Sequence, residues 1–433
     1  MSIKVLWLSN VDLSESLPTK SGTWIYSMYN ALKASNDVFV CANITFSNNH
    51  FQMKKVGDFH QYYLSSEYIA DSGYPNQKAF DVVCDYVNNE TPDIIHIWGT
   101  ERAWPILALD ERLKKYKKLL EIQGLISTIA EENVFYGGLS KNYLLRYNGL
   151  LELIYRKNRL SSILKKYRSW GIIEKQILTK FRYIDVQSSW IETIVCQHIN
   201  KSCQQSTNAT IFRTGIILRN SFLHATRWHR LHEYTDTPIV LTTTSSTPYK
   251  GLHVTLRAFS ILCERFPNAR LRIAGITSPK SRIKSFCYSK YINNLLDEYN
   301  IRSNVDFLGN LDEYELLNQM YLADVFVVSS YVESFCLALA EALAIGLPSV
   351  SSYAAALPEL ISDGNDGFLY PIGDYRICAS HLNSIITNKQ LANKISENSS
   401  SKIRKYCSEK TISQNQISIY KKITSHVSKN INI

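Results

Sequence analysis

Short apolar runs alternate with segments of helical spacing along almost the whole chain. In the first half, IKVLWLSN (3–10), DVFVCANIT (37–45), HQYYLSS (60–66), PDIIHIWG (92–99), KKLLEIQGL (117–125), YIDVQSS (183–189) and ATIFRTGI (209–216) read as strands. SGTWIYSMYNALKAS (21–35) instead spaces its apolar residues as a helix does, after a glycine-containing turn. A second series begins near 238 with PIVLTTTSS (238–246). It continues through ARLRIAG (269–275), NVDFLGN (304–310), DVFVVSS (324–330), LPSVSS (347–352) and GFLYPIGD (367–374), with helical stretches such as GLHVTLRAFSILCERFP (251–267) between them. Continuous apolar runs alternating with helices indicate parallel sheets covered on both faces. The rhythm lapses over 217–237, so the chain reads as two doubly wound α/β domains, 1–225 and 226–410. A closing helix follows within 411–433, where ISQNQISIYKKI keeps helical spacing. Ligands of open parallel sheets bind beyond the carboxyl ends of the strands, and the expected site is the cleft between two such domains.

Composition adds exclusions. Of 433 residues, 45% are hydrophobic and 20% charged, which is globular usage and not that of a disordered chain. No apolar stretch reaches the ~18 residues of a spanning helix, and the N-terminus lacks the charged-then-apolar pattern of a secretory signal. Nine cysteines stand singly, without Cys-x-x-Cys, so reduced cytoplasmic thiols are expected. The net charge of +10 is concentrated: residues 146–182 hold ten Lys/Arg against Glu152 and Glu174, mixed with Leu, Ile and Tyr. Such a stretch fits either a solvated helix face or an interfacial helix on an anionic membrane. Nucleic-acid binding ranks behind both, because no recognised module accompanies the charge.

Candidate chemistry concentrates in residues 329–374, SSYVESFCLALAEALAIGLPSVSSYAAALPELISDGNDGFLYPIGD. Glu333 and Glu341 lie eight positions apart, so they would stand about 80° apart on one helix. The spacing predicts Glu333 at a strand–loop end and Glu341 inside the following helix. Residues 334–336 then form a helix start able to receive anions and hydroxyl oxygens. Asp-x-Asp is absent, and so are Gly-x-Gly-x-x-Gly after the first strand, a P-loop and a zinc pattern.

This segment resembles the donor-binding part of retaining GT-B glycosyltransferases, the group 1 or family-four type that assembles bacterial polysaccharides. The likeness includes PYKGLHVTLRAF, LRIAG, VDFLGNLDEYELLNQMYLADVFVVSS, the Glu-x7-Glu segment, GLPSVSS and PELISDGNDGFLYPIGD. CSEKTISQNQISIYKKI looks like the family's closing helix, and the first half is less similar, with Gly22, DIIHIWG and LEIQGLIS. The resemblance implies two Rossmann-like domains facing across a cleft. It also implies a cytoplasmic, metal-independent hexosyltransferase of capsule or exopolysaccharide synthesis with no cofactor. Its donor would be a UDP-, GDP- or ADP-sugar and its acceptor a glycan, lipid-linked or free. Lys250 would contact the donor diphosphate, where a cation stabilises leaving-group charge. Glu333 would bind donor-sugar hydroxyls, and Glu341 the ribose. The backbone of Phe335, Cys336 and Leu337 would face the donor, and Gly22 would let the first turn approach it. His96 and Gln123 would lie on the acceptor side.

Four positions depart from the family's habit. Ser245 stands where an arginine is usual five residues before the lysine, with Arg213 or Arg219 as candidate substitutes. Ser334 and Cys336 replace glycines, and Gln123 replaces a histidine. These departures keep a second reading open: a non-catalytic binder of sugar nucleotide or glycan. A third is a sugar-nucleotide epimerase on the same fold.

Overall fold

A computed structural model describes residues 2–14, 23–48, 52–147, 159–202, 209–230, 236–277 and 287–425. The chain divides into two compact units. The first comprises Met1–Ser127, Ser169–Leu218 and Cys407–Ile433; the second comprises Thr128–Arg168 and Arg219–Tyr406.

The first unit is built on eight strands: β1 (Ile3–Leu8), β2 (Val38–Ser47), β3 (Met53–Val56), β4 (Phe59–Ser65), β5 (Ile94–Trp98), β6 (Lys117–Ile122), β7 (Tyr183–Val186) and β8 (Thr210–Phe212). They lie in the order β3-β4-β2-β1-β5-β6-β7-β8, parallel except for the antiparallel β3–β4 pair. Strand β3 escaped the apolar pattern because all four of its residues are exposed. The apolar runs form the core: Leu6, Leu8, Ile95, Ile97, Leu120, Ile122 and Ile184 pack with Val83, Trp104 and Ile191 from covering helices.

The second unit has six parallel strands: β9 (Ile239–Thr243), β10 (Arg270–Ala274), β11 (Val305–Gly309), β12 (Val325–Val328), β13 (Ser349–Ser352) and β14 (Phe368–Tyr370), in the order β11-β10-β9-β12-β13-β14. Strand β13 is fully buried although three of its four residues are serines. Their hydroxyls donate to main-chain carbonyls, Ser349 to Leu347 at 2.8 Å and Ser352 to Ser330 at 2.6 Å. Buried hydroxyls need such partners. The helix Leu337–Ile345 is apolar on every side apart from Glu341, as a helix enclosed in a core must be.

The division differs from the linear one predicted, 1–225, 226–410 and 411–433. Residues 128–168 belong to the second unit because their aromatic and main-chain groups find partners there: Tyr143 meets Tyr291 edge-on at 5.6 Å, and Cys287 Sγ donates to the Leu144 carbonyl at 3.0 Å. The last helix, Glu409–Ser425, belongs to the first unit. Its Tyr420 hydroxyl lies 2.7 Å from His96 Nδ1, and Lys117 Nζ donates to the carbonyls of Ile423 and Thr424 at its C-terminal end. Among the described residues no helix is long and apolar enough to cross a membrane.

Candidate functional site

In the second sheet the strand order reverses between β9 and β12, since β10 and β11 continue to one side and β13 and β14 to the other. At such a switch point two loops leave the carboxyl ends of neighbouring strands in opposite directions, and ligands bind there. The loop after β9 carries Ser245 and, in a short 3-10 turn, Lys250; the loop after β12 carries Ser330, Tyr331 and Glu333. The two loops are tied together by the Tyr331 amide, which donates to the Tyr249 carbonyl at 2.8 Å. Gly251 makes the approach feasible: its φ is +70°, and a Cβ there would sit 1.8 Å from the Ser329 carbonyl oxygen.

Lys250 Nζ donates to Glu333 Oε1 at 2.6 Å, and Ser330 Oγ donates to the same oxygen at 2.7 Å. Burial alone pulls the Lys250 ammonium down; the Glu333 carboxylate outweighs it and holds the pKa above the ordinary lysine value. The lysine is therefore cationic at physiological pH. Both protein donors fall on Oε1 of Glu333, so Oε2 takes no protein donor among the described residues and can accept a further hydrogen bond. Ser245 Oγ lies 2.8 Å from Thr247 Oγ1, within the loop that leads to Lys250.

The predicted placement of the two glutamates holds, Glu333 in the loop and Glu341 in the helix Leu337–Ile345. Glu341 is 3% exposed, and both its oxygens are bonded: Arg219 Nε and NH2 donate to Oε1 and Oε2, each at 2.7 Å. Arg219 is thus committed to a carboxylate, with Glu313 3.9 Å away. Burial raises the Glu341 pKa and Arg219 opposes that rise. An ionised carboxyl has about four lone-pair sites, so a bidentate arginine fixes its plane and leaves further acceptor capacity for vicinal hydroxyls.

Cys336 occupies the left-handed region, φ +76°, immediately before the helix. A conformation suited to glycine is held here by a residue with a side chain, at a cost of order 1 kcal/mol. Burial first, then Glu333, pushes the Cys336 thiol up to about 12. Phe335 turns its ring into the core and stacks at 6.4 Å and 9° on Tyr406. Ser334 and Leu337 are partly exposed in the same turn.

In the first unit, Gln123 follows β6 and lies near Gly99 and Glu101 at the strands' carboxyl ends. Gly22 lies outside the described residues. His96 requires a correction. It is fully buried in β5, with Nδ1 2.7 Å from Tyr420 and Nε2 3.2 Å from Glu121 Oε2, and so has no surface toward an acceptor. Burial pushes His96 down to about 3 and Glu121 up to about 8, leaving both neutral at pH 7. Their place is to join the sheet to the last helix. Arg213 bonds Ser189 and Glu192 on the surface. Sequence reasoning overlooked Ser330 and Tyr331, which no spacing marks; of the two arginines offered as substitutes at Ser245, Arg219 is paired here with Glu341 and Arg213 with Ser189 and Glu192.

Two Rossmann-like units with a cation and a carboxylate at a strand-order switch define a GT-B fold. Solved structures agree at the level of fold. Sucrose-phosphate synthase from Thermosynechococcus elongatus matches with a TM-score of 0.70 and 18% identity over 97% of this chain and 99% of that one. The Anabaena HepE protein, solved with UDP and glucose, matches at 0.67 and 14% over 97% and 100%. Residues 227–402, which lie within the second unit, match the family of glycosyl transferases group 1. A putative colanic acid biosynthesis glycosyltransferase, WcaL of Escherichia coli K12, is 27% identical over 248 residues, which is 50% of this chain and 57% of the relative.

Proposed function

We propose that this protein is a retaining, metal-independent glycosyltransferase that moves a hexose from a nucleoside-diphosphate sugar to a glycan acceptor in polysaccharide biosynthesis. The observation that carries the reading is the Lys250–Glu333 pair at the β9/β12 switch of a group 1 domain. As the bond between the anomeric carbon and the diphosphate breaks, negative charge grows on the departing phosphate oxygen, and the Lys250 ammonium is placed to neutralise it. Glu333 orients the sugar through its hydroxyls, and Glu341, held by Arg219, takes the ribose hydroxyls. The acceptor oxygen attacks from the face the diphosphate leaves, and its proton passes to the departing phosphate oxygen. No metal is needed for charge already met by a lysine. A neighbour solved with UDP-glucose supports trying a UDP-sugar first among the donors, and a relative named for colanic acid synthesis supports a polysaccharide product. The cytoplasmic face of the membrane is the proposed site of action, with a lipid-linked acceptor; exposed Lys165, Lys166 and Arg168 and the 62%-exposed Ile172 on the helix Leu160–Leu178 support that docking.

The test incubates the protein with UDP-, GDP- and ADP-hexoses, with and without EDTA, reading thermal shift, transfer to glycan acceptors and the product's anomeric configuration. Transfer that resists EDTA, with retained configuration, supports the proposal; transfer that EDTA abolishes, or inverted product, overturns it. The serine and the strained cysteine at positions usually glycine favour a second reading, a non-catalytic sugar-nucleotide binder. It would give a thermal shift without turnover for any donor–acceptor pair.

A further inference from the structure

Ser329 and Ser330 follow directly on β12, lead into the loop of Glu333, and are each 2% exposed. Hydroxyls from three other elements converge on them. Thr255, on the helix Leu252–Arg265, places Oγ1 2.8 Å from Ser329 Oγ. Tyr370, at the end of β14, donates to Ser329 Oγ at 2.8 Å, and Ser352, at the end of β13, donates to the Ser330 carbonyl at 2.6 Å. Thr255, Tyr370 and Ser352 are themselves at most 1% exposed. Apolar side chains would fill such core positions without needing partners, so the hydroxyls kept here hold the turn they grip. That turn presents one hydroxyl of its own. Ser330 Oγ donates to Glu333 Oε1 at 2.7 Å, beside Lys250 Nζ at 2.6 Å. The two donors differ in kind. Lys250 is a charge on a flexible stem, and in the reading above it must also meet the diphosphate. Ser330 is fixed by Ser352 at its carbonyl, and by the Tyr331 amide bonded to Tyr249 in the next peptide.

We propose that Ser330 is a positioning residue for sugar transfer: its hydroxyl keeps the Glu333 carboxylate aimed while the donor diphosphate draws on the Lys250 ammonium. The inference deepens the function proposed above and rests on it for the identity of the ligand. A lysine ammonium has three N–H donors and can reach carboxylate and phosphate together, but its bond to Glu333 loosens as the phosphate competes for it. The serine bond faces no such competitor. With Oε1 held, the direction of Oε2 is restricted, on a side chain that keeps 12% exposure. Loss of the serine hydroxyl therefore acts on the sugar end of the donor and spares the nucleotide end.

The experiment uses the full chain with the sugar nucleotide and glycan acceptor that the panel above identifies. UDP, GDP or ADP, whichever matches that donor, is titrated as a sugar-free inhibitor. For Ser330→Ala the expected result is a ~10-fold fall in kcat/KM for the donor, with the inhibition constant of the nucleoside diphosphate and the melting temperature close to wild type. The preference for the donor over an epimer of its sugar should narrow, because a loosened carboxylate reads the hydroxyls less strictly. Added to Glu333→Ala, the serine change should cost nothing further, since the carboxylate it positions is gone. Unchanged kcat/KM and unchanged epimer preference in Ser330→Ala overturn the inference. So does an equal loss of donor and nucleoside-diphosphate affinity with a lowered melting temperature, the mark of a structural role, and so does a further ~10-fold loss in the Glu333→Ala background. The two failures are separable. A wild-type chain that binds and transfers from no sugar nucleotide sinks the function and this inference with it; a wild type that transfers while Ser330→Ala matches it sinks the inference alone.

Discussion

Arg219→Met isolates the interaction that holds the second glutamate. Wild-type Arg219 gives two hydrogen bonds of 2.7 Å to a carboxylate that is itself 3% exposed. Methionine keeps much of the volume and removes both donors, so Glu341 is left as a buried charge facing Glu313 without compensation. Breaking one side of a buried pair costs about 3–5 kcal/mol, and the lower end applies because the Arg219 side chain keeps 14% exposure. For a unit of this size, ~3 kcal/mol lowers the melting temperature by about 6–12 °C. The sign with pH follows from burial. Without Arg219 the Glu341 pKa moves still higher, the folded state holds a proton the unfolded state has lost, and stability falls as pH rises. The deficit should therefore be larger at pH 8 than at pH 5. Thermal and urea melts of wild type, Arg219→Met, Glu341→Gln and the double variant measure the coupling, which should be at least ~1 kcal/mol. A loss in Arg219→Met below ~1 kcal/mol, or a deficit that grows toward acid, would refute the reasoning. Donor half-saturation in the same variants reads the second role: it rises if Arg219 orients Glu341 for the ribose, and stays level if the pair serves the fold alone.

Lys250→Ala and Glu333→Ala should each reduce transfer by ~100-fold or more while the melting temperature moves little, because both side chains lie at a partly open loop junction; normal transfer by both removes their assignment. The Cys336 thiol, pushed up to about 12 by burial, should resist alkylation at pH 8 in the folded protein and react on unfolding, a difference that mass spectrometry of labelled peptides checks. Cys336→Gly should remove the left-handed strain and raise stability by up to about 1 kcal/mol, read as a higher urea midpoint; a lower midpoint would mean that thiol packing outweighs the strain. Glu121, raised from 4.5 to about 8, binds a proton in the folded state that the unfolded chain has lost, so it lowers stability as pH rises from about 5 to 8. Glu121→Gln should flatten that decline in melts taken across the range, and an unchanged slope would contradict it.

Much of the fold was written in local pattern. Most strands buried on both faces are short apolar runs, so the parallel strands of both sheets announced themselves, while the exposed hairpin strand β3 did not. The Glu-x7-Glu spacing, which would set the two carboxyls about 80° apart on one helix, reads as one carboxyl in a loop and the other in a helix, and the structure agrees. What pattern could not carry was partnership across long separations. Arg219 and Glu341 are 122 positions apart, and His96 and Tyr420 are 324 apart. A histidine in HIW reads alike whether its ring meets solvent or the last helix, and only the packing of that helix settled it. Residues 128–147 follow the first unit's strands in sequence, yet their aromatic residues find partners in the second unit. The sequence by itself determined which segments are strands and helices and which residues carry the donor-binding signature, since hydrophobic period and motif are local properties. The tertiary structure alone decided which charges face one another and which carboxylate oxygen stays unpaired, since those depend on where distant segments come to rest.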